Sequence, residues 1–418
     1  MGNKSLVSFL RNEDWTTVLL GAVVILLVIG FGLSGNLSLL PMLPSSLSST
    51  ADIARLVYLF VFLYAVTYGA FRFMRRDTRH LLPSFAVIFG IAVAAMYITR
   101  IPFIKTLGFE SVLFSVAIGL VISNFIGVPD WLRPAMQSEF FIKVGLVVLG
   151  SSVIISEILK AGFFGILQSL VVVFSVWYFA FWIARKMKVD PEMSTMLASA
   201  VSICGVSAAI ATCGAIKGDN KKLSYVISLV LVVAIPMMYL MPWLATKIGL
   251  SQEVAGAWLG GTIDTTGAVV ASGKFLGETA EKYSVIIKSS QNVLLGLAAF
   301  LISIYWSYKG TKREEKPTAS VLWQRFPKFV LGFVLVSVIF SVCFDTATAK
   351  ALGDAANKNF REAFFAIAFV SIGLETDFRR LFGQENKKPM YAFGIAQAFN
   401  VVLTLVVAYV LFGLIAGE

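Results

Sequence analysis

Long apolar runs and short polar connections alternate along the whole chain. The runs fall at residues 15–33, 53–73, 81–98, 111–127, 140–155, 162–184, 193–216, 223–246, 254–272, 284–306, 329–344, 363–373 and 390–414. Crossing a bilayer takes roughly 20 apolar residues in a helix, so the pattern predicts about thirteen hydrophobic segments, of which 11–13 are transmembrane. The expected fold is all-α: a polytopic membrane protein. The first run is longer than the apolar region of a signal peptide and has no small-residue cleavage site close behind it, so it reads as a retained helix. The expected layout is a cytoplasmic N-terminal segment over residues 1–14 and one polytopic transport domain over 15–416.

Charges between the runs set the orientation. Counted from a cytoplasmic N-terminus, the even-numbered loops carry Arg72, Arg75, Arg76 and Arg79, then Arg185, Lys186 and Lys188, then the basic stretch 309–328, then Arg379, Arg380, Lys387 and Lys388. The positive-inside rule puts these loops in the cytoplasm. The loop at residues 34–51 has no charge, as a translocated loop should. Lys217, Lys221 and Lys222 fall on the opposite face by this count. Re-entrant hairpins at 193–216 and 254–273 would return them to the cytoplasm without changing the later spans.

Composition narrows the function. The 418 residues are 58% hydrophobic and 14% charged, with a mean hydropathy of +0.82, against about 45–50% and 25% in soluble proteins. This balance argues against a water-soluble enzyme. Lys and Arg number 35 against 24 Asp and Glu, but they lie in short clusters between apolar runs, a topology signal and not a nucleic-acid surface. Cys204, Cys213 and Cys343 have no metal-ligand spacing, and His80 is the single histidine, so zinc sites and His-based triads have no material. No nucleophile stands with a base, which argues against an enzyme. Gly267 to Lys274 has five residues between its glycines where a phosphate loop needs four.

One stretch is echoed. FIKVGLVVLGSSV at 141–153 resembles FFAIAFVSIGLET at 364–376, seven segments later. An odd separation inserts the two copies with opposite orientation. Elements near 111–185 and 327–416 are therefore expected to be inverted repeats, an arrangement in which secondary transporters place their site at the midplane.

Two segments should break. SAVSICGVSAAIAT at 199–212 and WLGGTIDTTGAVVASG at 258–273 are rich in Gly, Ser and Thr, which weaken a helix interior and offer the backbone competing hydrogen bonds. Unwound backbone at membrane depth is tolerated where protein or a wet cavity surrounds it, and half-helix ends then aim partial charges at a solute. Close packing of small residues accounts for Ser202, Gly205 and Ser207 equally well, but it does not account for Asp264. A carboxylate near the middle of a span costs about 2.5–3.5 kcal/mol and marks ion or proton pathways. Asp264 is the leading candidate to carry a coupling ion, with Thr265 and Thr266 beside it; a proton on the carboxylate and an oxygen shell around sodium are both open. Lys288 is a second intramembrane charge, with Gln291 and Asn292 one turn along its helix. The candidate substrate set is Ser202, Cys204, Gly205, Ser207, Gly260, Gly261, Thr262, Lys288, Gln291 and Asn292, with Asn124 as an outlying polar group that would equally serve to bond a neighbouring helix. Lys143, Glu157 and Glu362 fall near span ends and read as anchors or pairs.

The ordered set SICGVSAAIA, GAWLGGTI and an apolar helix with a central lysine, together with GLVISN, VGLVVLG, RFPKFVLGF and SIGLETD, resembles the sulfate exporter family of YeiH-like bacterial transporters. The resemblance covers most of the chain from about residue 111 onward. It implies a bacterial inner-membrane carrier with inverted repeats and crossed, discontinuous helices, and a small anionic substrate: sulfate, a sulfonate or another organic anion. The chain departs from the family pattern in three places. Many members read His-Glu where Asp264 and Thr265 stand, Gln where Ala268 stands, and a basic residue where Gln291 stands.

The expectation is a secondary active transporter of a small anion, coupled to a proton or sodium, alternating access around a midplane site. The alternative is a cation/proton exchanger using Asp264 and Lys288. No cofactor is expected beyond sodium as one choice of coupling ion. The expected partners are the anion and the bilayer, with no nucleic acid; a homodimer is left open.

Overall fold

The computed structural model describes residues 12–106, 111–153, 155–216, 218–308, 323, 326–377 and 387–415. The expectations for residues 1–11, for Lys217, for most of the basic stretch 309–328 and for Arg379 and Arg380 lie outside the described residues.

The described residues form helices and no strand. In chain order these are α1 (Glu13–Leu33), α2 (Thr50–Phe73), α3 (Leu81–Ile98), α4 (Ser111–Val121), α5 (Ser138–Leu149), α6 (Ile155–Lys186), α7 (Pro191–Ser199), α8 (Val206–Ile216), α9 (Asn220–Ile248), α10 (Gln252–Thr262), α11 (Thr266–Leu276), α12 (Glu278–Tyr308), α13 (Lys328–Cys343), α14 (Thr346–Ala356), α15 (Glu362–Glu375) and α16 (Lys388–Ala408). Seven helices among the described residues are long and apolar enough to span a bilayer. The chain is an all-α polytopic membrane protein, and two of its apolar segments are each built from two half-length helices instead of one long one.

The chain divides into two compact units. The first holds α1–α5 and α13–α15. Its interior is aromatic: Phe71 meets Phe140 at 5.4 Å, Phe140 meets Phe141 at 5.3 Å, and Phe141 reaches Phe85 and Phe364, each at 6.3 Å. Lys143 is a paired residue. Its Nζ donates to Glu13 at 2.7 Å and Asp14 at 2.9 Å, and Arg76 donates to Glu13 at 2.6 Å, so the start of α1 is fastened to α5 and to the end of α2.

Residues 345–362, which fall between two apolar runs, form α14 and a π-helical turn, Asn357–Arg361, that runs into α15. The segment is alanine-rich but only weakly apolar, so a hydropathy pattern misses it. Asp345 starts it by accepting from the N–H groups of Ala347 and Thr348, both at 3.1 Å, a strong N-cap.

The echoed stretches end alike. After α5, Val153 is extended (φ −111°, ψ 124°), and after α15, Thr376 is extended (φ −93°, ψ 112°). The freed carbonyl of Val153 accepts from Ser337 Oγ on α13; that of Thr376 accepts from Ser123 Oγ at 2.9 Å and Asn124 Nδ2 at 3.0 Å, at the end of α4. Each terminus is thus served by the apolar helix next to the other copy. Gly119 and Gly373 bring α4 and α15 into backbone contact, because a Cβ on Gly373 would stand 2.9 Å from the Gly119 Cα and closer still to the Val116 carbonyl. Gly373→Ala should therefore destabilise the protein by about 1–3 kcal/mol, read as a lowered unfolding temperature of the purified protein; an unchanged midpoint would contradict the contact.

The second unit holds α6–α12 and α16. Its main core joins Val172, Val176 and Ala180 of α6 with Val226 and Leu229 of α9 and Ala392, Phe393 and Ala396 of α16. The two interrupted pairs, α7 with α8 and α10 with α11, pack inside this unit.

Candidate functional site

The first interrupted segment begins with a capped helix. Asp190 caps α7, accepting from Glu192 and Met193 N–H, with Pro191 at the first turn. The helix loosens into a π turn, Ala200–Cys204, and stops at Gly205, whose φ of +62° and ψ of −112° suit no L side chain. A new helix, α8, starts directly after it. In the second pair, α10 ends at Thr262, Ile263 and Thr265 are extended, and Thr265 Oγ1 caps α11 by accepting from Ala268 N–H at 3.3 Å.

Gly205 brings the two interruptions together. A Cβ there would lie 3.3 Å from the Asp264 Cβ, 3.4 Å from the Asp264 carbonyl and 2.7 Å from Val230 Cγ1. Backbone meets backbone at this point because there is no side chain between them. Gly260 and Gly261 serve the same end on other faces of α10: Gly260 lies against the Ile287 Cβ of α12, and Gly261 against the Thr404 methyl of α16.

Half-helices leave carbonyls without partners at their C-terminal ends, and buried amides and one ammonium supply the donors here. Lys288 Nζ donates to the Ile203 carbonyl at 2.7 Å and to Gln291 Oε1 at 2.8 Å. Gln291 Nε2 donates to the Ser202 carbonyl at 2.9 Å and the Gly261 carbonyl at 3.2 Å, one from each interruption. From α16, Gln397 Nε2 donates to the Thr262 carbonyl at 3.0 Å, and Asn400 Nδ2 donates to both Val201 at 3.2 Å and Thr262 at 3.1 Å. Thr404 Oγ1 holds Asn400 by donating to its Oδ1 at 2.8 Å. Asn292 Nδ2 points to Thr266 Oγ1 at 3.4 Å. Replacing Gln291 by Leu removes donors from two buried carbonyls and an acceptor from Lys288. At about 1–3 kcal/mol for each buried group left unpaired, Gln291→Leu should lower the unfolding temperature clearly, while Gln291→Glu should retain the contact to Lys288.

Asp264 differs from all of these. It is 1% exposed, and neither carboxylate oxygen has a hydrogen-bond partner. Lys288, also 1% exposed, is its charged neighbour but directs its ammonium at a carbonyl and an amide. Ser202 Oγ, Thr262 Oγ1, Asn292 Oδ1 and Gln397 Oε1 are likewise buried without a partner. Among the described residues no group of three His, Cys, Asp or Glu side chains comes together.

The structure thus gathers Ser202, Cys204, Gly205, Gly260, Gly261, Thr262, Asp264, Lys288, Gln291 and Asn292 around the two interruptions of the second unit, with Ser207 in the first turn of α8 and Thr265 and Thr266 at the start of α11. Asn124 belongs to the first unit, where its amide donates to the Leu120 and Thr376 carbonyls, each at 3.0 Å. Its amide thus ties the end of α4 to the end of α15. Gln397 and Asn400 were not singled out from sequence, although two amides three residues apart in the apolar run 390–414 are a usable signal. An apolar groove of about 350 Å³ between α6 and α12 is lined in part by Val173, Leu294 and Ala298, which also pack beside Ile203 and Cys204. Asp264 does not line it.

The comparisons with known proteins agree with this picture of a membrane protein. The family model described as conserved hypothetical protein 698 matches residues 83–392. A UPF0324 membrane protein of Rhodopirellula baltica is 40% identical over 347 residues, 81% of this chain and 64% of that protein. One from Nitratidesulfovibrio vulgaris is 38% identical over 359 residues, covering 83% and 62%. The UPF0324 inner membrane protein YeiH of Escherichia coli is 24% identical over 273 residues, covering 63% and 76%. The chain spans a little under two thirds of the length of the first two relatives. No solved structure matches. With a family model covering most of its length and relatives at up to 40% identity, the chain belongs to the YeiH-like family of UPF0324 membrane proteins.

Proposed function

We propose that the protein is a secondary active transporter that moves a small anion by alternating access, coupled to a proton or a sodium ion, with Asp264 carrying the coupling ion. One observation carries this reading: a carboxylate that is 1% exposed, without a hydrogen-bond partner, placed where two interrupted helices touch. A buried carboxylate whose oxygens accept no hydrogen bond is costly to ionise, so it is expected to gain and release a proton or another cation. The like terminations of the echoed stretches at Val153 and Thr376 support the assignment of 111–185 and 327–416 as inverted repeats. Lys288, Gln291 and Asn292, with the N-terminal turns of α8 and α11, supply donors for an anion. A bound anion would take over part of the ammonium now directed at Ile203.

A second reading, cation/proton exchange by Asp264 and Lys288, is favoured by one detail: the Lys288 ammonium already has two acceptors while the Asp264 oxygens have none. Proteoliposome flux separates the two. The anion reading expects saturable counterflow of sulfate, a sulfonate or a carboxylate, driven by an imposed sodium or proton gradient. Cation exchange that proceeds equally well without any of these anions would favour the second reading, and no gradient-dependent flux of either kind would overturn both.

A further inference from the structure

We infer that the cation held at Asp264 is sodium, bound by oxygen atoms alone: the Asp264 carboxylate, Thr262 Oγ1, Ser202 Oγ and Gln397 Oε1. The inference deepens the transporter reading by naming its coupling ion, but binding itself does not depend on transport.

The four side chains come from three places, the first interruption, the second interruption and α16, and their exposures are 0% for Ser202, 1% for Thr262 and Asp264, and 4% for Gln397. All of their terminal oxygens named above lack a hydrogen-bond partner. One orphaned acceptor in a buried site is a modest defect; several of them on segments bonded to one another, one being a carboxylate, are the oxygen donors a hard cation takes. The surrounding bonds hold these segments together. Gln397 Nε2 bonds the Thr262 carbonyl, and Asn400 Nδ2 bonds the same carbonyl together with that of Val201, the residue before Ser202. The Gln397 amide is also oriented. Its NH₂ faces the Thr262 carbonyl at 3.0 Å and the Met237 sulfur at 3.1 Å, so its oxygen is the atom left over.

Charge selects the valence. One carboxylate neutralises one positive charge, and the Lys288 ammonium nearby makes a divalent ion less favourable still. Oxygen donors without thiolate or imidazole favour a hard ion over a transition metal. A lone proton would neutralise Asp264 but bring one O–H donor to the whole cluster, whereas an alkali cation contacts several oxygens at once.

The test is thermal unfolding of the purified full chain in detergent, with choline, potassium and sodium chloride exchanged at constant ionic strength. A ligand that binds the folded state raises the midpoint with its concentration. Sodium should raise it progressively and potassium should not. Asp264→Asn should abolish the sodium response, and Thr262→Val and Gln397→Leu should each weaken apparent sodium affinity by about tenfold or more. If Asp264→Asn does not fold, Thr262→Val, which loses a single hydroxyl, carries the test. Equal responses to sodium and potassium, no response to either, or a sodium response untouched by Thr262→Val and Gln397→Leu would overturn the assignment. Proton-driven anion flux in liposomes with no sodium response overturns this inference and leaves the transporter reading standing. A sodium response in a protein that moves no solute does the reverse.

Discussion

Asp264→Asn is expected to abolish ion-coupled flux while leaving the protein folded and equally or more stable. The amide keeps the shape of the side chain, so the contact with Gly205 survives. It removes an ionisable carboxyl group that is 1% exposed and whose oxygens accept no hydrogen bond. The desolvation cost that is relieved offsets or exceeds the attraction to Lys288 that is lost, so the unfolding temperature should stay level or rise when no cation is present. Flux in proteoliposomes and the unfolding temperature, measured on the same preparation, check both halves. Wild-type coupled flux in Asp264→Asn would show that the carboxylate is not the ion carrier. A large drop in unfolding temperature would show that its charge is stabilised in a way this conformation does not reveal.

Gly205→Ala should be among the most damaging single-methyl substitutions in the chain. Placing an L residue at φ +62° costs about 1–2 kcal/mol, and the new Cβ, 2.7 Å from Val230 Cγ1, adds an overpacking cost of about 1–3 kcal/mol. The sum, about 2–5 kcal/mol, is a large part of the stability of a typical domain. The methyl would also push against Asp264 Cβ, so flux should fall even in a sample that remains folded. Gly69→Ala is the matched control: it lies inside α2, nothing stands within 4 Å of its Cβ position, and alanine favours the helix, so its midpoint should stay level or rise. If Gly205→Ala unfolds no earlier than Gly69→Ala, the close approach of the two interruptions is wrong.

Much of the architecture could be read from local chemistry. Apolar run length marked the spans, and Gly, Ser and Thr content marked the stretches that break, because those residues weaken a helix wherever they sit. The breaks themselves fall at Ala200–Gly205 and Ile263–Thr265. What local chemistry does not encode is which distant side chain supplies the missing donors. Gln397 and Asn400 lie more than a hundred residues from the carbonyls of Thr262 and Val201, in a run whose overall hydropathy hides two amides. Likewise the direction of Lys288 follows from which carbonyl the π turn exposes, and that is a matter of tertiary geometry. Helix α14 escaped for a different reason: its alanines favour a helix without making the segment strongly apolar, so length and hydropathy both pass over it.

The two hydrogen bonds from Asn400 have a mechanical corollary. One amide on α16 latches the ends of α7 and α10 together, so sliding α16 along its axis by a single turn would rupture both links at once. Any movement of α16 relative to the two interruptions has to break both bonds, and a probe attached to the outer face of α16, at exposed Ile395 or Val402, would report such movement without touching Asp264.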